Sequence, residues 1–254
     1  MDIAVCIKQT VDTEAEVGVD AEGRALTEGQ TLVIDPYSEF AVERAVQLAE
    51  EHGGDEAVPA VRHALSMGAS AGYLVDDAAL AEADAAVKAR VLAAALERVP
   101  ADLVLGGCKS ADTAGAQTMP RLSELRGLPC VQVVTALDVD PAAGVAHATR
   151  EIDDGVAVVD VALPAVITAQ QGLAEPRYPN VRAIMQSKKK PVTVWTLADL
   201  GIEDALVDPR ARRTRVVRYR PKPARQGGRI VEGETVAEAV AATVELLETE
   251  AKVW

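Results

Sequence analysis

Asp102-Leu-Val-Leu-Gly-Gly-Cys-Lys-Ser-Ala-Asp-Thr-Ala-Gly-Ala-Gln-Thr118 decides how the chain is read. A short apolar run stops at Gly106-Gly107, small and polar residues fill a turn, and helical spacing runs from Gln117 to Leu125. This is a strand, a tight loop and a helix. The same alternation extends upstream. Ile3 to Ile7 reads as a buried strand, and residues 12–34, with Gly18, Gly23 and Gly29 between β-branched runs, as an irregular hairpin. From Ser38, apolar Phe40, Ala41, Ala45, Val46 and Leu48 recur at helical spacing, with Glu39, Glu43 and Arg44 on other faces, until His52-Gly53-Gly54. Val61–Met67 and residues 80–98 read as helices, and Gly72–Val75 and Cys130–Val134 as strands. Such alternation predicts an α/β fold with a largely parallel, doubly wound sheet, binding ligands at the carboxyl ends of its strands.

Beyond Asp138 the texture becomes β-rich. Val145–Ile152, Val156–Leu163 and Val166–Ala169 are expected to extend the sheet in mixed orientation. A loop, Gln170–Arg182, leads through a short apolar turn to Ser187-Lys188-Lys189-Lys190-Pro191 and the strand Val192–Thr196. Residues 205–230, rich in Arg, Pro and Gly with one strand-like run (Arg215–Tyr219), read as an extended arm, and Thr235–Lys252 as an amphipathic helix. The expected division is a domain over 1–200, including a loop at 170–190, and a C-terminal arm and helix over 201–254.

Composition narrows the function. With Lys plus Arg at 26 and Asp plus Glu at 39, the net charge is −13, which argues against nucleic-acid binding. Aromatics are 3% of the chain, so the core must come from Ala, Val, Leu and Ile, and base-stacking recognition is not expected. Cys6, Cys108 and Cys130 are widely spaced, as are His52, His63 and His147; neither a metal site nor a disulfide framework is indicated. An odd thiol count, no basic-then-apolar leader and no run of ~20 apolar residues predict a soluble cytoplasmic protein without membrane insertion.

No dinucleotide fingerprint, phosphate-binding lysine loop, nucleophile elbow or zinc-protease motif occurs, so a binding or carrier protein is favoured over an enzyme. Residues 106–118 have two readings. Free N–H groups at a helix start beside small residues make an anion cradle, with Lys109 adding charge. Alternatively, Ser110, Asp112 or Thr113 simply caps the helix. Asp35-Pro36-Tyr37-Ser38 is a helix start with Ser38 as candidate cap, and could also close over a nucleotide. Cys6 reads as a small core residue before a reactive thiol. Lys188–Lys190 reverse the overall charge locally and are either a solvated face or a docking element; the four arginines between Arg210 and Arg215 could grip a partner subunit.

The chain resembles the β subunit of electron transfer flavoprotein over nearly its full length. The resemblance rests on Ile3-Ala-Val-Cys-Ile-Lys, Asp35-Pro-Tyr-Ser-Glu-Phe-Ala-Val-Glu, Ala64-Leu-Ser-Met-Gly-Ala, Arg150-Glu-Ile-Asp-Asp-Gly followed by Leu163-Pro-Ala-Val-Ile-Thr-Ala, and Glu175-Pro-Arg-Tyr-Pro-Asn-Val-Arg-Ala-Ile-Met. It implies an adenine-nucleotide-hydrolase-like fold and a heterodimer with an α subunit, which the C-terminal arm and helix contact. It further implies one FAD held mainly by α and an AMP in β. Electrons would pass from acyl-CoA dehydrogenases, as in fatty acid β-oxidation, through the FAD to a quinone reductase. By the same match Cys6, Asp35, Pro36, Tyr37 and Ser38 line the AMP site, with Gly107, Cys108, Lys109, Ser110, Ala111, Asp112, Thr113, Ala114, Gly115, Ala116, Gln117 and Thr118; the cradle reading is then preferred. Partner docking falls to Glu151, which steers the flavin domain of α, and to Glu175, Pro176, Arg177, Tyr178, Val181, Ile184 and Met185, with Val181 at the position of an apolar anchor.

Three departures stand out. Asp35 replaces an expected Asn, and the loop after Asp112 lacks further acids. A strand and turn expected after His52, roughly a dozen residues by usual element lengths, are missing from the pattern. A bifurcating version, with a second FAD in place of AMP accepting hydride from NADH, is the main alternative. An ATP-handling α/β protein and a structural subunit without nucleotide are the others.

Overall fold

The computed structural model describes residues 1–52, 56–58 (as backbone), 62–208, 210, 212–221, 223 and 227–253. Gly53-Gly54, read as the stop of the first helix, and the helix start at Val61 lie outside them. By compactness the chain divides into Met1–Arg218 and Tyr219–Trp254.

The first unit is built on strands β1 (Ile3–Cys6), β4 (Glu56–Val58), β5 (Ala71–Val75), β6 (Leu103–Gly107), β7 (Cys130–Asp140), β8 (Val145–Ile152), β9 (Gly155–Ala162), β10 (Ala165–Ala169) and β11 (Val192–Trp195). They form one sheet in the order β11-β5-β4-β1-β6-β10-β7-β8-β9. Every neighbouring pair from β11 to β7 is parallel, whereas β7–β8 and β8–β9 are antiparallel. Two short strands, β2 (Gln9–Val11) and β3 (Leu32–Ile34), pair antiparallel and account for the expected hairpin.

Helices α1 (Pro36–His52), α2 (Arg62–Met67), α3 (Ala85–Arg98) and α4 (Thr118–Arg126) cover the sheet. Alternation along the central strands divides the core. Ile3, Val5, Leu103, Leu105 and Ile167 pack with Ala41, Val42, Ala45 and Leu48 of α1 and with α2. Ala4, Cys6, Val104 and Val166 pack on the opposite face with Ala89, Ala93 and Leu96 of α3 and Met119 and Leu122 of α4. The fold is therefore doubly wound α/β, as expected. No aromatic residue is buried among the described residues, so the aliphatic core follows from the composition. Truncating a fully buried member such as Leu105 to Ala would cost about 2–5 kcal/mol.

Several elements differ from the sequence reading. The strand expected after His52 is present in short form: Glu56 and Ala57 pair with Ile3 and Ala4, and Ala57 and Val58 with Ala71 and Gly72. Three residues ahead of Pro59 are too few to show a periodicity. The helix expected over 80–98 begins only at Ala85, because Asp84 accepts hydrogen bonds from the N–H groups of Ala86 and Val87 and so caps α3. A separate 3₁₀ turn, Ala78–Leu80, precedes it. Helix α1 is capped by Asp35, whose carboxylate accepts from the Tyr37 N–H at 3.0 Å, with Pro36 in the first helical position. Ser38, the expected cap, instead accepts from the Lys8 N–H. The strand begun at Cys130 runs on to Asp140 through a register shift at Val134/Ala136, next to Val133 at φ 62°. That left-handed backbone is strained for a β-branched residue, and the Val133 N–H donates to Thr168 Oγ1 at 3.0 Å. The run Arg215–Tyr219 forms no strand.

The loop Gln170–Arg182 ends early at Asn180, which caps helix α5 (Val181–Ser187). A short helix α6 (Asp204–Val207) follows β11. Arg212 pairs with Glu82 within the chain, and the N–H groups of Arg213 and Thr214 donate to Asp84, so this part of the arginine cluster is engaged internally. The second unit contains α7 (Val236–Thr249), capped by Thr235, with Val236, Val240, Val244 and Leu247 along one face.

Candidate functional site

The carboxyl ends of β1 and β6 meet the start of α1. Cys6 lies opposite Gly106 in the parallel register, and the chain leaves β6 through Gly107-Cys108-Lys109. A Cβ on Gly107 would stand 2.8 Å from Tyr37 Cβ, so only glycine lets the loop approach the α1 start this closely. Asp35 staples the two together. Fully buried, its carboxylate accepts from the Ala111 N–H at 2.7 Å as well as from Tyr37. Both partners are donors, which suits an acceptor-only carboxylate; an Asn would present an amide N–H₂ to one of them. Burial pushes the Asp35 carboxyl up, and the two N–H groups and Lys8 pull it partly back.

Lys8 crosses the mouth of this loop. Its ammonium donates to Ser110 Oγ and forms an ion pair with Asp112. Ser110 also donates to Asp112 at 2.7 Å and lies 2.8 Å from Thr113 Oγ1. Burial raises Asp112, but the hydrogen bonds from Lys8 and Ser110 outweigh it and hold the carboxyl below its usual value. Burial, then the charge of Lys8, lowers Lys88 of α3. Lys109 lies 5.2 Å from the centroid of the Tyr37 ring, a cation–π arrangement.

Ser110, Asp112 and Thr113 are thus bound to one another and to Lys8, and none caps α4. The residue before α4, Gln117, supplies no side-chain hydrogen bond to the helix start. Ala114 and Ala116 have φ of 47° and 50°, and residues 111–117 are exposed. Small side chains, an uncapped helix start and nearby ammonium groups fit a phosphate-bearing ligand.

Among the described residues, none of the three cysteines is primed as a nucleophile. Burial pushes the Cys6 thiol up to about 12 and raises Cys108 and Cys130. Cys6 packs in the apolar cluster beneath the loop, as its core reading anticipates. The three histidines each pair with a carboxylate elsewhere: His52 with Glu51, His63 with Glu39 and His147 with Asp160.

The residues expected to dock a partner occupy two places. Glu151, on β8, accepts from Gln170 Nε2 at 2.9 Å, and Gln170 Oε1 accepts from the Cys108 thiol at 3.7 Å, so Gln170 joins the cradle to the β8–β9 hairpin. Tyr178 is 98% exposed and Val181 73%, with Ile184 and Met185 also exposed; together they form an apolar ridge on and beside α5. Glu175 is exposed and Pro176 half-buried. Arg177 turns inward to Glu43 and Glu50 on α1. Lys190 is likewise engaged, donating to the carbonyls of Leu65, Gly68 and Ala69 at the end of α2, while Lys188 and Lys189 remain exposed. Sequence reasoning missed Lys8, Gln170 and Glu43 as site-forming residues. Their partners are 104, 62 and 134 residues away, so no local pattern marks them.

Known proteins match this chain closely. The electron transfer flavoprotein domain family matches residues 24–200. The electron transfer flavoprotein subunit beta of Bacillus subtilis is 36% identical over 265 aligned positions, covering all of both chains. That of Syntrophomonas wolfei is 41% identical over 206 positions, covering 77% of this chain and 80% of its own. A protein of Acetobacterium woodii named caffeyl-CoA reductase-Etf complex subunit CarD is 32% identical, covering 97% and 98%. Among the described residues no helix is long and apolar enough to cross a membrane.

Proposed function

The chain belongs to the electron transfer flavoprotein beta-subunit family, and from that premise we propose that it is the nucleotide-holding half of an αβ electron carrier. In this reading an α subunit holds most of the FAD, and this chain holds an AMP and presents the α5 ridge to acyl-CoA dehydrogenases; a quinone reductase receives the electrons. The FAD supplies the electron-carrying chemistry. The observation that carries the reading is the cradle: a loop of small residues that holds Lys109 and leads into an α4 start without a side-chain cap. Gly107 to Thr113 and the α4 start would hold the phosphate end of the nucleotide. Asp35 keeps the loop on α1, and the Lys8–Asp112 ion pair ties the loop to the segment after β1.

A second reading has specific support. The Acetobacterium woodii relative is named for a reductase–Etf complex, and residues 113–118 carry no carboxylate. In that reading the cradle holds a second FAD instead of AMP, for the oxidation of NADH. The test is to co-purify the chain with its α subunit and follow flavin absorbance on mixing with an acyl-CoA dehydrogenase reduced by its acyl-CoA, and separately with NADH. Bleaching by the dehydrogenase alone supports the carrier. Bleaching by NADH alone moves the protein to the second reading, and bleaching by neither overturns both.

A further inference from the structure

The exposed segment Tyr178–Met185 is fastened at both ends by charged groups that face into the protein. At its start, the Arg177 guanidinium donates to Glu43 through Nε at 2.8 Å and Nη2 at 2.9 Å, and to Glu50 through Nη1 at 2.8 Å and Nη2 at 3.1 Å. Even the Arg177 backbone N–H donates to Glu43. Glu43 is buried on α1 and also accepts from Gln47. At the far end, Arg62 of α2 donates to the carbonyls of Ser187 and Lys190 at 2.7 and 3.1 Å, while the Lys190 ammonium closes the last turn of α2.

Between these clasps α5 has only seven residues and buries only Ser187. A helix that short has no stability of its own, and its exposed apolar face contributes none. Its shape must therefore be imposed from outside, by its packing against α2 and by the groups that hold its ends. An ion pair with one buried carboxylate and a part-exposed guanidinium adds little net stability, so Glu43–Arg177 is better understood as fixing geometry. We propose that Arg177 is a positioning residue for docking: it does not touch the dehydrogenase but holds the Tyr178–Val181–Met185 ridge in the shape that does. This rests on the reading of α5 as the docking element.

The test uses the complete αβ complex and an acyl-CoA dehydrogenase reduced by its acyl-CoA. For Arg177→Met the apparent KM for the dehydrogenase should rise about tenfold, the consequence of re-ordering two or three side chains on each encounter. The limiting rate and the flavin and nucleotide content should stay unchanged. Amide exchange over 178–187 should accelerate by a similar factor. Arg177→Lys should recover only part of the loss, because an ammonium keeps the charge but not the planar fork that engages Glu43 and Glu50 through three nitrogens. Since Arg177→Met leaves the Glu43 charge buried alone, the double variant Arg177→Met/Glu43→Gln guards against misfolding and should show the same KM shift. Unchanged amide exchange, or a KM within twofold of the parent in both variants, overturns the proposal. Val181→Asp separates the two layers: if it too leaves KM unchanged, the docking reading fails, and the clasp is then judged on amide exchange alone.

Discussion

At the carboxyl ends of β1 and β6 the polar groups are turned inward on one another, whereas on α5 the apolar groups are turned outward. The cradle spends its side chains on itself: Asp35 on Ala111 and Tyr37, Lys8 on Ser110 and Asp112. What remains open there is backbone and small residues, as the proposed binding of a small phosphate-bearing ligand requires. The ridge leaves Tyr178 and Val181 almost bare in front of the Arg177–Glu43 pair, the kind of surface the proposed docking of another protein requires. Both depend on α1, which carries Asp35 at its start and Glu43 and Glu50 further along. One helix thus supports two sites whose failures should be separable.

The largest effect is expected for Asp35→Ala, which removes the acceptor from the part-buried Ala111 and Tyr37 N–H groups, at up to about 1–3 kcal/mol each. The complex should lose bound nucleotide and several degrees of Tm, read by acid release and thermal melting. If instead the KM for the dehydrogenase changes while nucleotide is retained, the two sites are not separate. Gly107→Ala comes next. Its Cβ would lie 2.8 Å from Tyr37 Cβ, and the strain costs about 1–3 kcal/mol, lowering nucleotide occupancy in equilibrium dialysis without moving the docking KM. Val181→Asp reverses the pattern: loss of a buried interface anchor, roughly 2 kcal/mol, should slow electron transfer from the dehydrogenase more than about tenfold in stopped flow, with nucleotide content intact.

The smallest effect separates the carboxylates of the cradle by pH. Asp112 is lowered in the folded protein, so its contribution is full above the unfolded value near pH 4 and is lost as pH falls through the lowered one. Asp35 is raised and has the opposite sign: acidification through its folded value relieves the burial of its charge. Asp112→Asn should flatten the acid limb of a Tm-against-pH curve by less than about 1 kcal/mol, since the Lys8–Asp112 pair is partly exposed. A steeper acid limb in the variant would contradict the assignment.

The cradle was far more legible in the sequence than the ridge, for a physical reason. Gly106-Gly107 ending an apolar run, and Asp35-Pro36 opening an amphipathic helix, are local signals created by backbone geometry. Which residue capped α1 was harder, since Asp35 and Ser38 both suit the role and only the contact to Lys8 decides. On the ridge, a seven-residue helix with its apolar side chains in solvent carries no burial pattern, and it reads as a loop. Glu43 looked like one more surface acid; its burial depends on Arg177, far along the chain. Strand β4 escaped because a three-residue central strand takes its stability from its neighbours and not from its own composition.

The most direct test is the nucleotide content of the co-purified αβ complex, released by acid and resolved by chromatography. One FAD and one AMP per heterodimer is the expected result and is the content the carrier reading requires. Two FAD and no AMP would contradict the carrier reading and assign the cradle to a second flavin.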